Sequence, residues 1–193
     1  MLEAYLFVDP LCKKCLRSEE IVQKLARNVT DNLSYQFIPM LNIKIMNHSS
    51  PERIIHNVYY QMVLDYKAAL FQGKKRGQSF FMMLQNELVN YNYHYNNHTV
   101  IAIAENAKLD LDMFKEDRRS KLAQKSFKSD QKLVYEMQIK KPASAVIYNF
   151  NSLNAGMLFN NINYKQLFRV CCPHYHHHKL QDQNGIPIPN LHL

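Results

Sequence analysis

Glycine is scarce in this 193-residue chain, which contains only four glycines. Glycine-rich loops that cradle phosphates or dinucleotides need several glycines at fixed spacing, and neither a P-loop nor a Rossmann pattern is present. The G-x-S-x-G turn of a serine hydrolase is missing as well. His48, His56 and His94 have no serine or carboxylate at a spacing that indicates catalysis. The sequence therefore does not support nucleotide binding or serine-type hydrolysis.

Long apolar runs are also missing, although 47% of the residues are hydrophobic. No segment approaches the ~18 consecutive apolar residues that cross a membrane. The first residues enter a strand-like segment without the basic start and cleavage site of a secretory leader. We therefore expect a cytoplasmic protein with no membrane partner. In that reducing compartment, cysteines are more often catalytic, redox-sensing or metal-binding than structural.

Acidic residues are outnumbered, with 16 Asp and Glu against 24 Lys and Arg, and the formal net charge is +8. The basic residues are scattered and do not cluster with stacking aromatic residues, so no nucleic-acid partner is predicted. An acidic protein partner and a solubilising role explain the charge equally well. The length and the apolar fraction fit one folded domain with room for a sizeable insertion.

The stretch from Tyr5 to Glu20, YLFVDPLCKKCLRSEE, carries the clearest chemical signal. Its apolar start predicts a buried strand, Asp9 and Pro10 predict a break, and a helical pattern begins near Cys12. Cys12 and Cys15 are expected on one face of the first helical turn, close enough for a disulfide. Because a helix N-terminus favours negative charge, we expect Cys12 to be a low-pKa nucleophile and Cys15 to be its resolving partner.

Charged neighbours are expected to tune this cysteine pair. Lys13 and Lys14 lie between the cysteines and would stabilise the Cys12 thiolate, which makes the protein more oxidising. Asp9 would oppose them by repulsion if its side chain points at the sulfur, and would act like a helix cap if it does not. The predicted reaction is attack of Cys12 on a substrate disulfide, followed by attack of Cys15 on the mixed disulfide.

A C-x-x-C pair is also compatible with half of a zinc site, which needs a second pair of ligands. The remaining candidates lie in the tract CCPHYHHH, where Cys171, Cys172, His174 and His176 are close together. Their spacing does not match a zinc knuckle, adjacent cysteines distort a tetrahedral site, and terminal histidine runs bind metals adventitiously. The redox interpretation is therefore favoured, and neither a metal nor another cofactor is predicted.

Periodicity predicts the remaining elements. A second strand is expected at 33–40, and strand-helix-strand order implies that the first two strands are parallel. Helical periodicity then runs from 50 to 93, with a connector at 73–77. The pattern returns to strands at 144–148 and 156–159 and to helix at 164–170.

Shorter helices are predicted between the long helical run and the third strand. Thr99 and Asp110 are expected to cap two of them, over 100–106 and 111–115. Two further helical stretches are expected at 116–127 and 129–137. A large helical segment therefore separates the second strand from the third.

These features together resemble the DsbA-like family of thioredoxin-fold proteins. The resemblance covers residues 3–172 and rests on the strand before the D-P-x-C-x-x-C motif of 9–15, the helical run 107–139 and the segment PASAVI at 142–147. It implies an α/β thioredoxin fold with a large all-helical insertion between the second and third strands.

The resemblance also implies a domain organisation. Residues 1–48 and 138–172 would form the thioredoxin-like domain, and 49–137 would form the helical insertion. Residues 173–193 are expected to be a flexible histidine-rich tail.

In the family, the proline before the third strand is cis and lies against the C-x-x-C disulfide. By position the match is Pro142, preceded by Lys141, whose backbone would pair with an extended substrate. A trans proline at a strand start is the ordinary alternative. The match is incomplete, because lysines replace the histidine or proline often found between the cysteines, and Leu16 follows Cys15 where an aromatic residue is usual. The cysteine roles carry over, but the redox direction does not.

One cytosolic branch of the family, the Spx adaptors of low-GC Gram-positive bacteria, is similar in two further places. These are DPLC at 9–12 and EMQI at 136–139. The branch presents the regulator Spx to the ClpXP protease, so the alternative to a DsbA-like thiol-disulfide oxidoreductase is a non-catalytic adaptor for an Spx-like client. A glutathione-dependent isomerase of related fold is a third possibility. The sequence leaves the client, the redox direction and the oligomeric state open.

Overall fold

Four strands form one mixed sheet in the part of the chain that the computed structural model describes, residues 1–29, 32–40, 51–91, 94–150 and 156–172, with backbone alone for 51–56. They are β1 (Leu2–Val8), β2 (Leu33–Pro39), β3 (Ser144–Asn149) and β4 (Gly156–Phe159). Their spatial order is β2-β1-β3-β4. β1 is parallel to β2 and antiparallel to β3, and β4 is antiparallel to β3. The predicted parallel pairing of the first two strands is confirmed.

The described helices are α1 (Lys13–Asn28), α2 (Pro51–Phe71), α3 (Lys74–Val89), α4 (Asn97–Asn106), α5 (Leu111–Asp117), α6 (Lys121–Glu136) and α7 (Tyr164–Cys171). Helices α2 to α6 lie between β2 and β3, so the predicted helical insertion is present. The domain boundaries at 48/49 and 137/138 stay predictions. The predicted flexible tail, 173–193, lies outside the described residues.

The predicted connector at 73–77 is wrong, because α3 already begins at Lys74. Gly73 precedes the helix with φ +112°, a conformation that L side chains rarely adopt. Gly77 lies inside the helix, where an added Cβ would come within 2.8 Å of the Leu70 main chain. The two glycines therefore make a tight corner and a close contact between α2 and α3.

Helix starts in the insertion also differ in part from expectation. The cap of α4 is Asn96, whose side chain accepts a hydrogen bond from the Thr99 N–H, so Thr99 is not the cap. The expected break near 128 is absent, because α6 is continuous from a Ser120 cap. Asp110 caps α5 as predicted.

The sheet is buried on both faces. On one face, alternate residues of β1 and β3 pack against α1, α7 and two aromatic rings of the insertion, Tyr66 and Phe81. On the other face, Phe7, Ile38 and Val146 pack against the last turns of α6 and Ile139. Because α1 packs along the sheet directly after β1, its N-terminus lies just beyond the end of that strand.

Buried polar contacts join the insertion to itself and to α1. Lys67 of α2 forms an ion pair with Asp130 of α6, and both side chains are largely buried. Glu19 of α1 is fully buried and accepts a hydrogen bond from the Gln85 amide of α3 at 3.0 Å. A buried charge is costly unless it is paired, so these contacts restrict how the helices pack.

Candidate thiol site at the start of the first helix

The two cysteines follow a tight turn after β1. The Asp9 carbonyl accepts a hydrogen bond from the Cys12 N–H at 3.1 Å, and the Asp9 carboxylate accepts one from the Leu11 N–H at 2.9 Å. Cys12 is the N-cap residue of α1, in extended conformation and without a side-chain capping bond. The turn therefore holds the Cys12 side chain at the end of the helix where unpaired N–H groups favour an anion.

The environments of the two sulfurs differ sharply. Cys12 is partly exposed, whereas Cys15 is fully buried, and both are reduced. Burial raises the pKa of the Cys15 thiol far above its ordinary value, a hydrogen bond from the Asp9 N–H at 3.3 Å lowers it in part, and a hydrogen bond with the Cys12 thiol raises it again. Cys15 is therefore a protonated thiol near neutral pH, in contact with the more accessible Cys12. Their assignment as nucleophile and resolving group stays a prediction.

Asp9 is not the helix cap that one of the two expectations describes, and its predicted electrostatic role stays a prediction. Its carboxylate binds the Leu11 N–H within the turn, so it does not cap α1, whose N-cap is Cys12. Burial raises the pKa of the Asp9 carboxyl, and the bond from Leu11 lowers it in part. The charge of Asp9 raises the pKa of Cys15 slightly further. Asp9 therefore shapes the loop and weakly disfavours a buried thiolate.

Lys13 and Lys14 are both exposed. The Lys14 ammonium lies 3.5 Å from the Asn161 side-chain oxygen, in the loop after β4. Charges in solvent are screened, so any tuning by these lysines falls with ionic strength. Their predicted electrostatic role stays a prediction.

The loop before β3 lies beside the cysteines. The Ala143 N–H donates to the Phe7 carbonyl at 2.8 Å, and Ala143 packs in the same apolar cluster as Cys15. Sequence spacing alone does not reveal this contact, which comes from the antiparallel pairing of β1 with β3.

The expected cis bond before Pro142 is absent, because the Lys141–Pro142 peptide is trans. The chain turns into β3 through Ala143, which has φ +59°, in the left-handed region that non-glycine residues rarely occupy. The Ser144 hydroxyl donates to the Lys141 carbonyl at 2.9 Å. The Lys141 side chain is exposed, but its carbonyl already has this internal partner. The roles of Pro142 in catalysis and Lys141 in substrate pairing stay predictions.

Sequence reasoning missed one residue near this site. Tyr59 of α2 is only 2% exposed and packs in a cluster that also contacts Leu11. Burial raises the pKa of Tyr59, and the charges of Asp9 and Cys15 raise it further. Helical periodicity marks Tyr59 as a core residue of α2, but it gives no sign that the residue packs in one cluster with Leu11 of the cysteine turn.

The low-priority metal candidates are only partly described. Cys171 is 3% exposed in the core, where burial raises the pKa of its thiol to about 12, and Cys172 is partly buried. His174 and His176 lie outside the described residues. Within the described ranges, no group of three or more His, Cys, Asp or Glu side chains could hold a metal ion.

Curated relatives are proteins described as ClpXP adapter protein SpxH. The relative from Staphylococcus saprophyticus is 30% identical, over 81% of this chain and 59% of its own length. The relative from Bacillus subtilis is 26% identical, over 81% of this chain and 61% of its own length. The chain thus spans about three-fifths of the length of these relatives.

Solved structures with the same fold are thiol-disulfide proteins. A putative protein disulfide isomerase from Nitrosomonas europaea has a TM-score of 0.67 at 12% identity, covering 95% of this chain and 99% of that one. The oxidoreductase DsbA from Xylella fastidiosa has a TM-score of 0.64 at 9% identity, covering 93% and 87%. These likenesses confirm the predicted thioredoxin fold with its helical insertion.

None of the helices in the described ranges is long and apolar enough to span a membrane. A family model described as Thioredoxin matches residues 5–170. The chain is therefore a member of the thioredoxin family, with DsbA-like structural neighbours and SpxH relatives.

Proposed function

We propose that this chain is a protein-binding adaptor of the SpxH kind, which binds an Spx-like client for delivery to the ClpXP protease. The observation that carries the proposal is the 26–30% identity to SpxH proteins over 81% of the chain. The DsbA structures, at 9–15% identity, support only the fold. Because the chain spans about three-fifths of its SpxH relatives, client binding and delivery to the protease are separate activities to test.

One exposed helix face suits an acidic protein partner. Lys121, Lys125, Lys128 and Lys132 follow one another along α6 at steps of four, three and four residues, so they lie on one side of the helix. All four are exposed, and the opposite side of α6 packs into the protein. We call these four residues the α6 lysine face, and we assign client binding to it.

Two exposed apolar side chains flank this face. Leu122 and Tyr135 are 57% and 83% exposed. Lys132 contacts Glu136 at 3.5 Å, so three of the lysines remain without an ion pair among the described residues. Basic residues beside an accessible aromatic ring are typical of protein interfaces, in which Tyr is enriched and charge complementarity speeds association.

The adaptor proposal is tested with purified Spx and this chain. We expect binding by calorimetry, and the same affinity for a Cys12→Ser/Cys15→Ser variant, because adaptor binding does not require the dithiol. Adding ClpXP then tests whether Spx is degraded faster when the chain is present. Absence of Spx binding by the wild-type chain would contradict the proposal.

Thiol-disulfide exchange is a second candidate, favoured by the contact between a partly exposed Cys12 and a buried Cys15. The Cys12 thiolate attacks one sulfur of a protein disulfide, that S–S bond breaks, and the departing thiolate takes a proton from solvent. Cys15 then loses its proton and attacks the Cys12 sulfur, which releases the second substrate thiolate. The substrate gains two electrons, and the chain ends with a Cys12–Cys15 disulfide.

Insulin reduction tests this second function. We expect activity that is lost on Cys12→Ser, and a trapped mixed disulfide on Cys15→Ser, because the resolving thiol is then missing. A chain that reduces insulin no faster than free dithiothreitol would refute the exchange activity while leaving the adaptor proposal intact.

A further inference from the structure

A groove of about 760 Å³ lies between the last turns of α1, the start of β2 and the first turns of α3. Its volume falls in the range of roughly 300–1,000 Å³ that is typical of ligand sites. Three cationic side chains line it, Arg27 of α1 and Lys74 and Lys75 of α3. None of the described residues that line the groove carries a carboxylate, so its walls present positive charge alone.

The groove lies at the end of the sheet opposite the cysteines. Its β2 residues, 33–35, pair with 2–4 at the start of β1, whereas the cysteine turn follows the last residue of that strand. At about 3.3 Å per residue, the length of β1 separates the two sites by roughly 20 Å. No described residue of α6 lines the groove, so the groove and the α6 lysine face are different surfaces.

The cations of the groove have no ion-pair partner among the described residues. The Lys74 ammonium donates to the Ser34 hydroxyl at 2.9 Å, and the Arg27 guanidinium donates to the side-chain oxygen of Gln23 at 3.4 Å. Both acceptors are neutral. Burial lowers the pKa of Lys74, and the charge of Glu3 in β1 raises it in part. An anionic ligand would supply the negative charge that the groove lacks.

Helix stability does not explain the cations of α3. The helix starts with Lys74, Lys75 and Arg76, and no acidic residue lies in its first turn. Gly73, which precedes them, provides no side-chain capping bond. Cations at a helix N-terminus lie at the positive end of the helix dipole, which disfavours them. A negatively charged partner beside this turn would offset that repulsion.

A partner cannot bind here by adding a strand to the sheet. Although β2 is an edge strand, side chains of the insertion occupy its outer carbonyls. The Gln78 amide donates to the Tyr35 carbonyl at 3.0 Å, and the Tyr66 hydroxyl donates to the Phe37 carbonyl at 3.2 Å. Recognition in the groove must therefore depend on its side chains.

Carboxylates suit these side chains better than a nucleic acid does. Proteins that bind single-stranded nucleic acid use several aromatic rings as stacking platforms. Tyr35 is the one aromatic residue among the described residues that line the groove, and the Lys74 ammonium lies 6.0 Å from its ring centroid. Lysine and arginine form strong charge-assisted hydrogen bonds with carboxylates. The groove therefore fits an acidic segment of a protein.

We propose that this groove binds an acidic segment of the ClpXP protease and is the second contact surface of an adaptor. The inference rests on the adaptor function proposed above, in which one surface holds the client and another must reach the protease. The client is assigned to the α6 lysine face, so the two partners do not compete for one surface. Charge complementarity of this kind speeds association and sets specificity.

The test compares two variants that each lose three positive charges at exposed positions. The groove variant is Arg27→Gln/Lys74→Gln/Lys75→Gln. The matched control, outside the groove, is Lys108→Gln/Lys165→Gln/Arg169→Gln. Calorimetry measures Spx binding by each protein. Degradation of Spx by purified ClpXP is then followed at increasing concentrations of each protein.

We expect the groove variant to bind Spx within about threefold of the parent, because salt screens surface charges over short distances. For half-maximal acceleration of Spx degradation it should need a concentration at least about tenfold higher, because its attraction for the protease is lost. The control should match the parent in both measurements. The deficit of the groove variant should be largest at low salt. Its unchanged Spx affinity would also show that it is folded.

Several results would overturn the inference. A groove variant that speeds degradation as the parent does, or equal deficits in the groove variant and the control, would refute the groove alone. Normal degradation together with lost binding of a labelled single-stranded DNA would assign the groove to nucleic acid. A groove variant that no longer binds Spx would place the client there. A parent that fails to bind Spx, or binds it without speeding its degradation, would refute the adaptor function and this inference with it.

Discussion

The main-chain amide of Asp9 donates a hydrogen bond to the sulfur of Cys15 at 3.3 Å, which ties the turn after β1 to a fully buried thiol. The same turn leaves Cys12 partly exposed at the N-terminus of α1. A single loop conformation therefore makes two neighbouring cysteines chemically unequal.

The first prediction concerns the reactivity of these thiols. We expect iodoacetamide at pH 7 to modify Cys12 at least about tenfold faster than Cys15, because Cys15 is buried and its pKa is raised. Peptide mapping by mass spectrometry after timed quenching measures both rates. In denaturant the difference should vanish, and equal rates in the native protein would contradict the burial of Cys15.

The second prediction concerns Glu19, whose pKa burial raises to about 8, although the bond from Gln85 lowers it in part. The folded protein then holds this proton more tightly than the unfolded chain, whose glutamates titrate near ~4.3. The stabilising contribution of Glu19 to the free energy of unfolding is therefore fully present below about pH 4.3, the pKa of an unfolded glutamate. It is lost as the pH rises through about 8, the pKa of Glu19 in the folded protein. One side-chain oxygen of Glu19 and one of Gln85 have no hydrogen-bond partner among the described residues, and a proton on Glu19 supplies a donor that its carboxylate lacks.

Glu19→Gln tests this linkage. The uncharged amide should stabilise the protein at pH 9 by about 1–3 kcal/mol, because a buried carboxylate is replaced by a group able to donate to Gln85. Urea unfolding at pH 6 and pH 9 measures the change, and Glu105→Gln, at an exposed glutamate of α4, is the matched control. If the free energy of unfolding changes between pH 6 and pH 9 by the same amount in all three proteins, the prediction is wrong.

The third prediction concerns the ion pair between Lys67 and Asp130. Burial lowers the pKa of Lys67 and raises the pKa of Asp130 to about 6, while each partner opposes the shift of the other. Asp130→Ala leaves a buried ammonium without its partner and should cost about 3–5 kcal/mol. Glu136→Gln, which breaks an exposed pair with Lys132, should cost less than about 1 kcal/mol. Urea unfolding measures the free energy of unfolding of both variants. If the two variants lose similar amounts of it, the ion pair of Lys67 and Asp130 does not contribute as a buried pair.

The fourth prediction concerns the α6 lysine face. The triple variant Lys125→Glu/Lys128→Glu/Lys132→Glu should weaken binding to Spx by about tenfold or more, with a larger effect at low salt. The reason is that lysines that attract an acidic partner are replaced by glutamates that repel it. Calorimetry at two salt concentrations measures the change.

The matched control reverses three other exposed lysines, Lys24, Lys75 and Lys165. This control has the same change of net charge, but on other helices. Because salt screens surface charges over short distances, its affinity for Spx should be within about threefold of that of the parent. Equal weakening by both variants would refute the placement of the client on α6. If a labelled DNA duplex binds the parent as tightly as Spx does, the partner of the α6 lysine face is a nucleic acid and not an acidic protein.

Local patterns predicted most of the elements. The apolar run before Asp9 and Pro10 predicts β1 and the segment SAVIY predicts β3, and both predicted strands end within a residue or two of where the structure ends them. The connector predicted at 73–77 is wrong, because the two glycines that indicate a loop lie before and inside α3. Gly77 instead allows α2 and α3 to approach, a contact that involves residues of two helices.

The sequence by itself determined the order of strands and helices and the placement of a C-x-x-C pair at a helix start, since both depend on neighbouring residues. Tertiary structure decided that Cys15 is buried, that Ala143 rather than a cis bond turns the chain beside it, and that Tyr59 packs in one cluster with Leu11 of the cysteine turn. Those relationships arise where β1, α2 and the loop before β3 pack together. Contacts between segments that are distant in the chain cannot be predicted from the spacing of neighbouring residues.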